Sequence, residues 1–589
     1  MQVQVIIKEA ISNVFFEGFS DTQKQEVYEV VTSFTSYMEK GVAFSPAYKS
    51  GRWDGRHRLA HYKRSESCFL VPTGLLCRVC QALKSHFSDV VIDIDDHRKK
   101  PYTRSYISPL KELEGVTLRP YQERMIEGVL ASPEKGESFI KLSSKEAKHL
   151  HSGIKGEAPY RVPGLGIWWS ATGSGKTEAS AGLIGRLGVP TLFVVYGKDL
   201  VLQTWERFQL RLGSWLKDHN LHLGMAIQGQ FDPGFVTVAS ASTLAKALEG
   251  TKGASKSTLN ALRKIGEKIP KYEGIVGVEL KEWVLEYRRR IGDPTSMERL
   301  TMLASKIGGV VGSTREVKAL ASYPARAKKA YRRKQEMLDY LDTVDLLIYD
   351  EAHGAASEGH YKLSMSCNAY YRLAMSGTPL YRADAANLKV VASFGDPSVR
   401  ITNAEMVESG VVPEATIRII PIREKMPYSP WPKCYEDGIV FHPARNQAII
   451  DLCLQYKGKP TLVMYKSIEH GLFLMDMAEL SDIRAMCLSG KHGTEERQYA
   501  VDQLRKGEID VLFASGIFNQ GIDIPEVSVV INAAGGKAAI PVLQGLGRGL
   551  RGDELVMVDF ADGQHKTLAS HARERLRLYR EQGCFKITF

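Results

Sequence analysis

Two short stretches carry residue types and spacings suited to chemistry on a phosphoanhydride. In Ser170-Ala-Thr-Gly-Ser-Gly-Lys-Thr177, Gly173 and Gly175 allow a tight turn whose backbone N–H groups, that of Ser174 among them, face an anion. Lys176 can neutralise the β- and γ-phosphates of a nucleotide, and Thr177 offers a hydroxyl to Mg²⁺. The pattern GxxxxGK[ST] is met except at its first glycine, where Ser170 stands. In Asp350-Glu-Ala-His353, an acidic residue at a strand end can hold the Mg²⁺ shell, and the adjacent Glu351 can orient and deprotonate a water. His353 is better placed to couple the nucleotide to the rest of the chain than to ligate a metal.

These residues need strands to present them. Ile167-Trp-Trp169 reads as a strand ahead of the phosphate loop, and a helix is expected from Glu178 onward. Strands at 191–196, 235–239, 346–349 and 371–375 alternate with helices, 198–208 among them, which predicts a parallel sheet with crossover helices. The strand at 371–375 leads into Ser376-Gly-Thr-Pro379. After a linker over about 396–432, strands at 461–465, 510–514 and 527–531 predict a second parallel sheet. Two loops of that second core stand out, Gln520-Gly-Ile-Asp-Ile-Pro525 and Gln544-Gly-Leu-Gly-Arg-Gly-Leu-Arg551. Arg548 and Arg551 lie three apart, hence on one helix face, and arginines at a domain edge can stabilise charge developing on a γ-phosphate.

The chain of 589 residues is too long for one core. Its net charge of +11 points to a polyanionic partner, and 246–339 alone holds 21 Lys and Arg against 11 Asp and Glu. Eight cysteines without regular spacing do not make a disulfide framework and fit a reducing compartment. Cys77-Arg-Val-Cys80 has no second pair to complete a zinc site and sits in an apolar-periodic run, so it reads as packing. The sequence shows no signal-like segment or long apolar span, and the expectation is a cytoplasmic protein without membrane contact, in the host-cell cytoplasm if the source is viral. No cluster of carboxylates and lysine outside the two stretches suggests a nuclease.

Residues 1–105 read as a small α+β domain. It opens on a strand with Val3, Val5 and Ile7 inward and continues with a helix capped by Ser20 and Gln23, whose apolar face runs from Val27 to Met38 and which Gly41 stops. Next comes Lys49-Ser-Gly-Arg-Trp-Asp-Gly-Arg-His-Arg58. Two readings fit it: a hairpin with Trp53 in the core and solvated arginines, or direct DNA contact by Arg52, Trp53 and Arg56. Two polar or basic insertions are expected at 132–164 and 246–339. In the second, Arg326, Lys329 and Arg333 share a helix face that either lies along a phosphate backbone or is simply solvated.

Taken in order, Gln122, Ser170 to Thr177, Asp350 to His353, Ser376 to Thr378, Gly521 to Pro525 and Gln544 to Arg551 resemble the motifs of superfamily-two helicases. The small N-terminal domain with Gly51-Arg-Trp-Asp-Gly55, followed by Thr117-Leu-Arg-Pro-Tyr-Gln122, is similar to the phage UvsW-type branch-migration helicases. The resemblance implies an α/β chain of two tandem RecA-like parallel-sheet motor domains, 106–395 and 396–589, behind an accessory domain. It implies ATP and Mg²⁺ as cofactors and branched DNA as partner: forks, Holliday junctions, D-loops or R-loops. Arg119, Gln122, Gly521 and Asp523 would join the phosphate loop and Asp350 around the nucleotide. Lys176, Glu351, Gln544, Arg548 and Arg551 would be catalytic, and His353, Ser376 and Thr378 would couple ATP to the strand. Two other functions fit the same motifs: a helicase acting on RNA, or a nucleic-acid-binding scaffold with incidental ATPase.

Overall fold

The computed structural model describes residues 1–38, 41–99, 101, 106–130, 162–171, 173–249, 323–377, 386–410, 415–426, 430–515, 527–536, 555–582 and 585–589. The N-terminal part begins with the alternation that makes a half-buried hairpin. In β1 (Gln2–Ile7) and β2 (Ile11–Glu17), Val3, Val5, Ile7, Val14 and Phe16 all point inward. The following helix, Asp21–Phe34, starts on the expected capping box, with Gln23 N donating to Ser20 Oγ at 3.3 Å and Ser20 N to Gln23 Oε1 at 2.9 Å. It ends earlier than the apolar periodicity predicts. Ser36–Met38 leave the helix as β3 and pair antiparallel with β4 (Arg56–Arg58), which leaves Met38 44% exposed instead of on a helix face. With β5 (His61–Lys63), β6 (Cys68–Pro72) and β7 (Val91–Asp96), the main N-terminal sheet has the order β5-β6-β2-β1-β7. Cys77 and Cys80 are buried on the helix Leu76–His86, and burial pushes the Cys80 thiol up to about 12.

This domain is fastened to the next one. Gly74 abuts backbone near 391–395, where a Cβ would lie 2.1 Å from the Val391 carbonyl oxygen, so only glycine fits. Arg78 pairs with Asp396 (Nε to Oδ1, 3.1 Å), and the Arg98 guanidinium donates to Pro163 O at 2.7 Å while stacking 4.0 Å from the Tyr370 ring centroid.

The second sheet contains β8 (Leu165–Ser170), β9 (Thr191–Val195), β10 (Leu223–Ile227), β11 (Gln230–Asp232), β12 (Val236–Ser240), β13 (Leu346–Asp350), β14 (Tyr371–Ser376) and β15 (Pro397–Ile401). Their order is β11-β10-β12-β9-β13-β14-β8-β15, parallel apart from the edge strand β11. The continuous apolar runs of β8, β9 and β13 are those of strands covered by helices on both faces. The third sheet, formed by β16 (Ala415–Ile422), β17 (Thr461–Tyr465), β18 (Ala485–Leu488), β19 (Val511–Ser515), β20 (Val529–Asn532), β21 (Leu555–Asp562) and β22 (Phe585–Thr588), runs β18-β19-β17-β20-β21-β16-β22 with every pairing parallel. Two tandem RecA-like parallel-sheet units therefore follow the N-terminal α+β part.

The stretch 396–432, expected as a linker, instead supplies a strand to each sheet: β15 pairs with β8, and β16 with β21 and β22. Its signal was the alternation Val399/Ile401 and Ile417/Ile419, buried every second residue. Helix 198–208 also extends, running over Lys198–Asp218 because Leu212, Trp215 and Leu216 continue its buried face. Of the insertions, 131–161 and 250–322 lie outside the described residues, while the helix Tyr323–Thr343 is present with Lys329 and Arg333 exposed. Arg372 is fully buried, and among the described residues no carboxylate pairs with it. Its guanidinium donates to Ser364 O (2.6 Å), Cys367 O (2.7 Å) and Ser393 O (2.7 Å), at the carboxyl ends of the helices Glu358–Ser366 and Asn387–Phe394. There the helix dipoles favour a cation.

Candidate functional site

The phosphate loop follows the carboxyl end of β8 and feeds the helix Lys176–Leu187. Gly173 and Gly175 have φ of +86° and +72°, a left-handed backbone that an L side chain resists. A Cβ on Gly175 would also meet Gln122 Nε2 at 2.3 Å. Ser170, the departure from the usual glycine, is explained by its side chain: its hydroxyl is buried and bonded to the Ser174 hydroxyl across the loop. The Lys176 ammonium is held at 3.3 Å from Ala171 O and 3.4 Å from Ser170 O. Such long contacts are easily exchanged for phosphate oxygens.

Gln122, expected beside the nucleotide, also braces the loop. Its amide donates to Ser174 O (3.1 Å) and Gly175 O (3.2 Å) and accepts from Arg119 N (2.8 Å). The Arg119 guanidinium reaches the Tyr121 hydroxyl at 3.3 Å.

Two strands away from β8, β13 delivers the acidic turn. Asp350 closes the strand and its Oδ1 accepts from Glu351 N at 2.9 Å. Glu351 sits at φ +52°, ψ +60°, a left-handed conformation costing a non-glycine residue about 1–2 kcal/mol. One oxygen, Oε2, is engaged by the Ser376 hydroxyl at 3.2 Å and lies 3.3 Å from His353 Nδ1, and the side chain is 27% exposed. Ser376 reaches it because β14 lies between β13 and β8, with Asp350 in register with Met375 and Ser376 with Trp169.

The electrostatics divide the two carboxylates. Burial, then the neighbouring Glu351 charge, push the Asp350 carboxyl well above its ordinary range against the pull of Lys176. Burial also pushes Glu351 upward, but the His353 hydrogen bond and charge, Lys176 and the Ser376 hydroxyl outweigh it and hold that carboxyl below its ordinary value. One acid thus strains toward a counter-cation while the other is kept ionised. Hard oxygen donors on Thr177 and Asp350, with the ionised Glu351 beside them, fit a divalent ion such as Mg²⁺.

The structure brings together Arg119, Gln122, Gly173, Ser174, Gly175, Lys176, Thr177, Asp350, Glu351, His353 and Ser376 at the carboxyl ends of β8, β13 and β14. Thr378, Gly521, Asp523, Gln544, Arg548 and Arg551 lie outside the described residues. In the N-terminal ribbon, Arg52 and Arg56 are exposed and Trp53 is half-buried, its indole N–H donating to Arg56 O at 3.1 Å, and Arg58 pairs with Asp54. Sequence reasoning missed Tyr196, whose hydroxyl bonds His360 Nδ1 at 2.8 Å and stands where a Cβ on Gly354 would collide. The only signal was a tyrosine at a strand end, which is too common to choose.

Comparison with known proteins places this geometry. The family described as Type III restriction enzyme, res subunit, matches residues 115–265, and the Helicase conserved C-terminal domain family matches residues 444–553. Similar curated proteins include Putative helicase 22 of Sulfolobus islandicus filamentous virus, 27% identical over 38% of this chain and 43% of that protein. ATP-dependent DNA helicase uvsW of Enterobacteria phage T4 is 25% identical over 42% of this chain and 51% of its own length. DNA 3'-5' helicase XPB of Kineococcus radiotolerans is 27% identical over 49% and 52% respectively. The chain thus spans about half the length of the curated relatives it matches. The crystal structure of T4 UvsW superposes over 100% of this chain and 99% of that one, with 16% identity and a TM-score of 0.34. With the Type III restriction enzyme, res subunit, family matching its first RecA-like unit, the Helicase conserved C-terminal domain family matching its second, and uvsW among its relatives, the chain resembles the superfamily-two helicases, the UvsW type among them.

Proposed function

We propose that this chain hydrolyses ATP to move along DNA and remodels branched DNA, namely forks, Holliday junctions, D-loops or R-loops. The observation that carries the reading is the acidic turn: Glu351 held in strained left-handed backbone, its carboxylate engaged by the Ser376 hydroxyl, directly beside Asp350 at the end of β13. Packing alone has no use for two like charges and a left-handed glutamate. Lys176 and the loop N–H groups bind the phosphates, and Glu351, aimed by Ser376 and His353, accepts the proton of the attacking water. Thr177 and Asp350 would hold Mg²⁺, which neutralises phosphate charge when bound. The second half supplies Gln544, Arg548 and Arg551 to the γ-phosphate, with Gly521 and Asp523 nearby, while Ser376 and Thr378 couple the nucleotide to the strand.

DNA is supported by the basic balance of the chain, by the exposed arginines of the β3–β4 ribbon, and by relatives named as DNA helicases. RNA is the second reading, because one relative, Pre-mRNA-splicing ATP-dependent RNA helicase PRP28 of Kluyveromyces lactis, is 33% identical over 14% of this chain. The test is ATPase stimulation and strand displacement on a four-way junction, a fork, an R-loop and a linear duplex, with sequence-matched RNA alongside. Junction or fork should stimulate most, and Lys176→Ala should abolish the response. Equal or stronger stimulation by RNA overturns the DNA assignment, and an equal rate on linear duplex overturns the branched one.

A further inference from the structure

A second charged cluster lies at the carboxyl end of the third sheet, and the phosphate chemistry does not use it. Arg445 and Arg575 are both fully buried, and two carboxylates balance them. Arg575 donates to Asp559 (Nε to Oδ2, 2.8 Å) and Asp562 (Nη2 to Oδ2, 3.1 Å), and Arg445 Nε donates to Asp562 Oδ1 at 3.0 Å. The Tyr579 hydroxyl (2.6 Å), the Phe560 backbone N–H (2.7 Å) and the Asn532 amide (3.2 Å) also donate to Asp559.

Apart from a bond from Arg575 Nη2 to Phe560 O at 2.9 Å, the side-chain bonds of Tyr435, Arg445 and Arg575 to backbone among the described residues go to one piece of chain. Arg445 donates to Asn532 O (3.4 Å) and Ala533 O (2.9 Å), the Tyr435 hydroxyl to Ala534 O (2.8 Å), and Arg575 Nη1 to Gly536 O. These carbonyls lie where β20 runs out. Its ladder with β17 ends at Asn532, and a carbonyl leaving a sheet in a dry interior needs another donor. Replacing a buried ion network with apolar side chains is often neutral or stabilising, so stability alone is a poor reason for this one. What apolar packing cannot do is fix the direction of four carbonyls.

We propose that Tyr435, Arg445 and Arg575 are positioning residues: they clamp the segment 532–536 and so set the starting direction of the chain that leads to Gln544, Arg548 and Arg551. The proposal rests on the assignment of those arginines to the γ-phosphate. Asp559 and Asp562 hold the two guanidinium groups in place, and the clamp is neutral overall, so ATP need not compete with it for charge.

The test uses the full chain with Tyr435→Phe, which deletes one hydrogen bond from a half-buried ring, and Arg445→Lys, which keeps the charge but loses the fork. Hydrogen exchange of peptides covering 532–554 should accelerate about tenfold in both, with the rest of the third sheet unchanged. Nucleic-acid-stimulated kcat should fall about threefold to tenfold while the KM for ATP stays within about twofold. In an Arg548→Ala/Arg551→Ala background the same substitutions should cause little further loss, because both arginines they position are gone. Unchanged exchange overturns the clamp, and a kcat loss that multiplies in full with the double arginine substitution overturns its positioning role. If the unsubstituted chain turns over no ATP, the helicase reading fails separately, and exchange alone then decides whether the clamp holds the segment.

Discussion

The two charged clusters at the carboxyl ends of the two motor sheets are built on opposite principles. Around β13, two carboxylates stand side by side, the Asp350 carboxyl is pushed up, and Glu351 occupies a left-handed backbone with its side chain 27% exposed. Around β21, two arginines face two aspartates and Arg445, Arg575, Asp559 and Asp562 are at most 2% exposed. The first cluster is left electrostatically incomplete, which suits a site that meets a charged ligand. The second is complete within the protein, which suits a device that fixes backbone. Imbalance and strain, rather than the number of charges, single out the proposed site of chemistry.

Substitutions can break this contrast. Glu351→Gln should show the largest effect, lowering kcat for ATP about 10²–10³-fold while nucleotide affinity, measured by equilibrium binding, changes only a few-fold. Hydrolysis at the parental rate would remove Glu351 from its role. Next, Asp559→Asn leaves Arg575 short of one counter-charge in a dry interior and should destabilise the third-sheet unit by about 3–5 kcal/mol in denaturant melts.

Asp350→Asn should do the reverse and stabilise the fold by on the order of 1–2 kcal/mol at neutral pH while abolishing turnover. The sign follows from the raised carboxyl. Between the ordinary carboxylate range and the raised value, the folded chain holds a proton that the unfolded chain has lost. Stability contributed by protonated Asp350 is therefore lost as pH rises through that window. The gap in Tm between Asp350→Asn and the parent should widen from pH 4 toward neutrality, and a constant gap would contradict the like-charge account. The smallest effect is expected for Ser170→Gly, which restores the usual loop residue but deletes the brace to Ser174. The KM for ATP should rise about twofold to fivefold, with a stability loss under about 1 kcal/mol. An unchanged KM would make the brace dispensable.

Much of the first half-site was legible in the sequence, because a phosphate loop needs glycine at positive φ and a lysine at the helix start, and an acidic pair after an apolar run announces a strand end. The bracing contacts of Ser170 and Gln122 were not legible. Ser170 looked like an imperfect motif and is a hydroxyl brace, and the Gln122 amide, expected beside the nucleotide, also donates to the loop carbonyls. Each depends on which polar group stands opposite, and that is a fact about contacts between distant segments.

By itself the sequence determined the local chemistry: which strands are buried, where glycine is obligatory, and where like charges are adjacent along the chain. Tertiary structure decided everything that depends on pairing. It turned the stretch 396–432 from linker into one strand for each sheet, stopped the first helix at Phe34 by offering β4 as a partner, and gathered Arg445, Asp559, Asp562 and Arg575 around the end of β20. Periodicity reports which face of an element is dry. It does not report which neighbour dries it, and the directions of carbonyls and carboxylates are set by that neighbour.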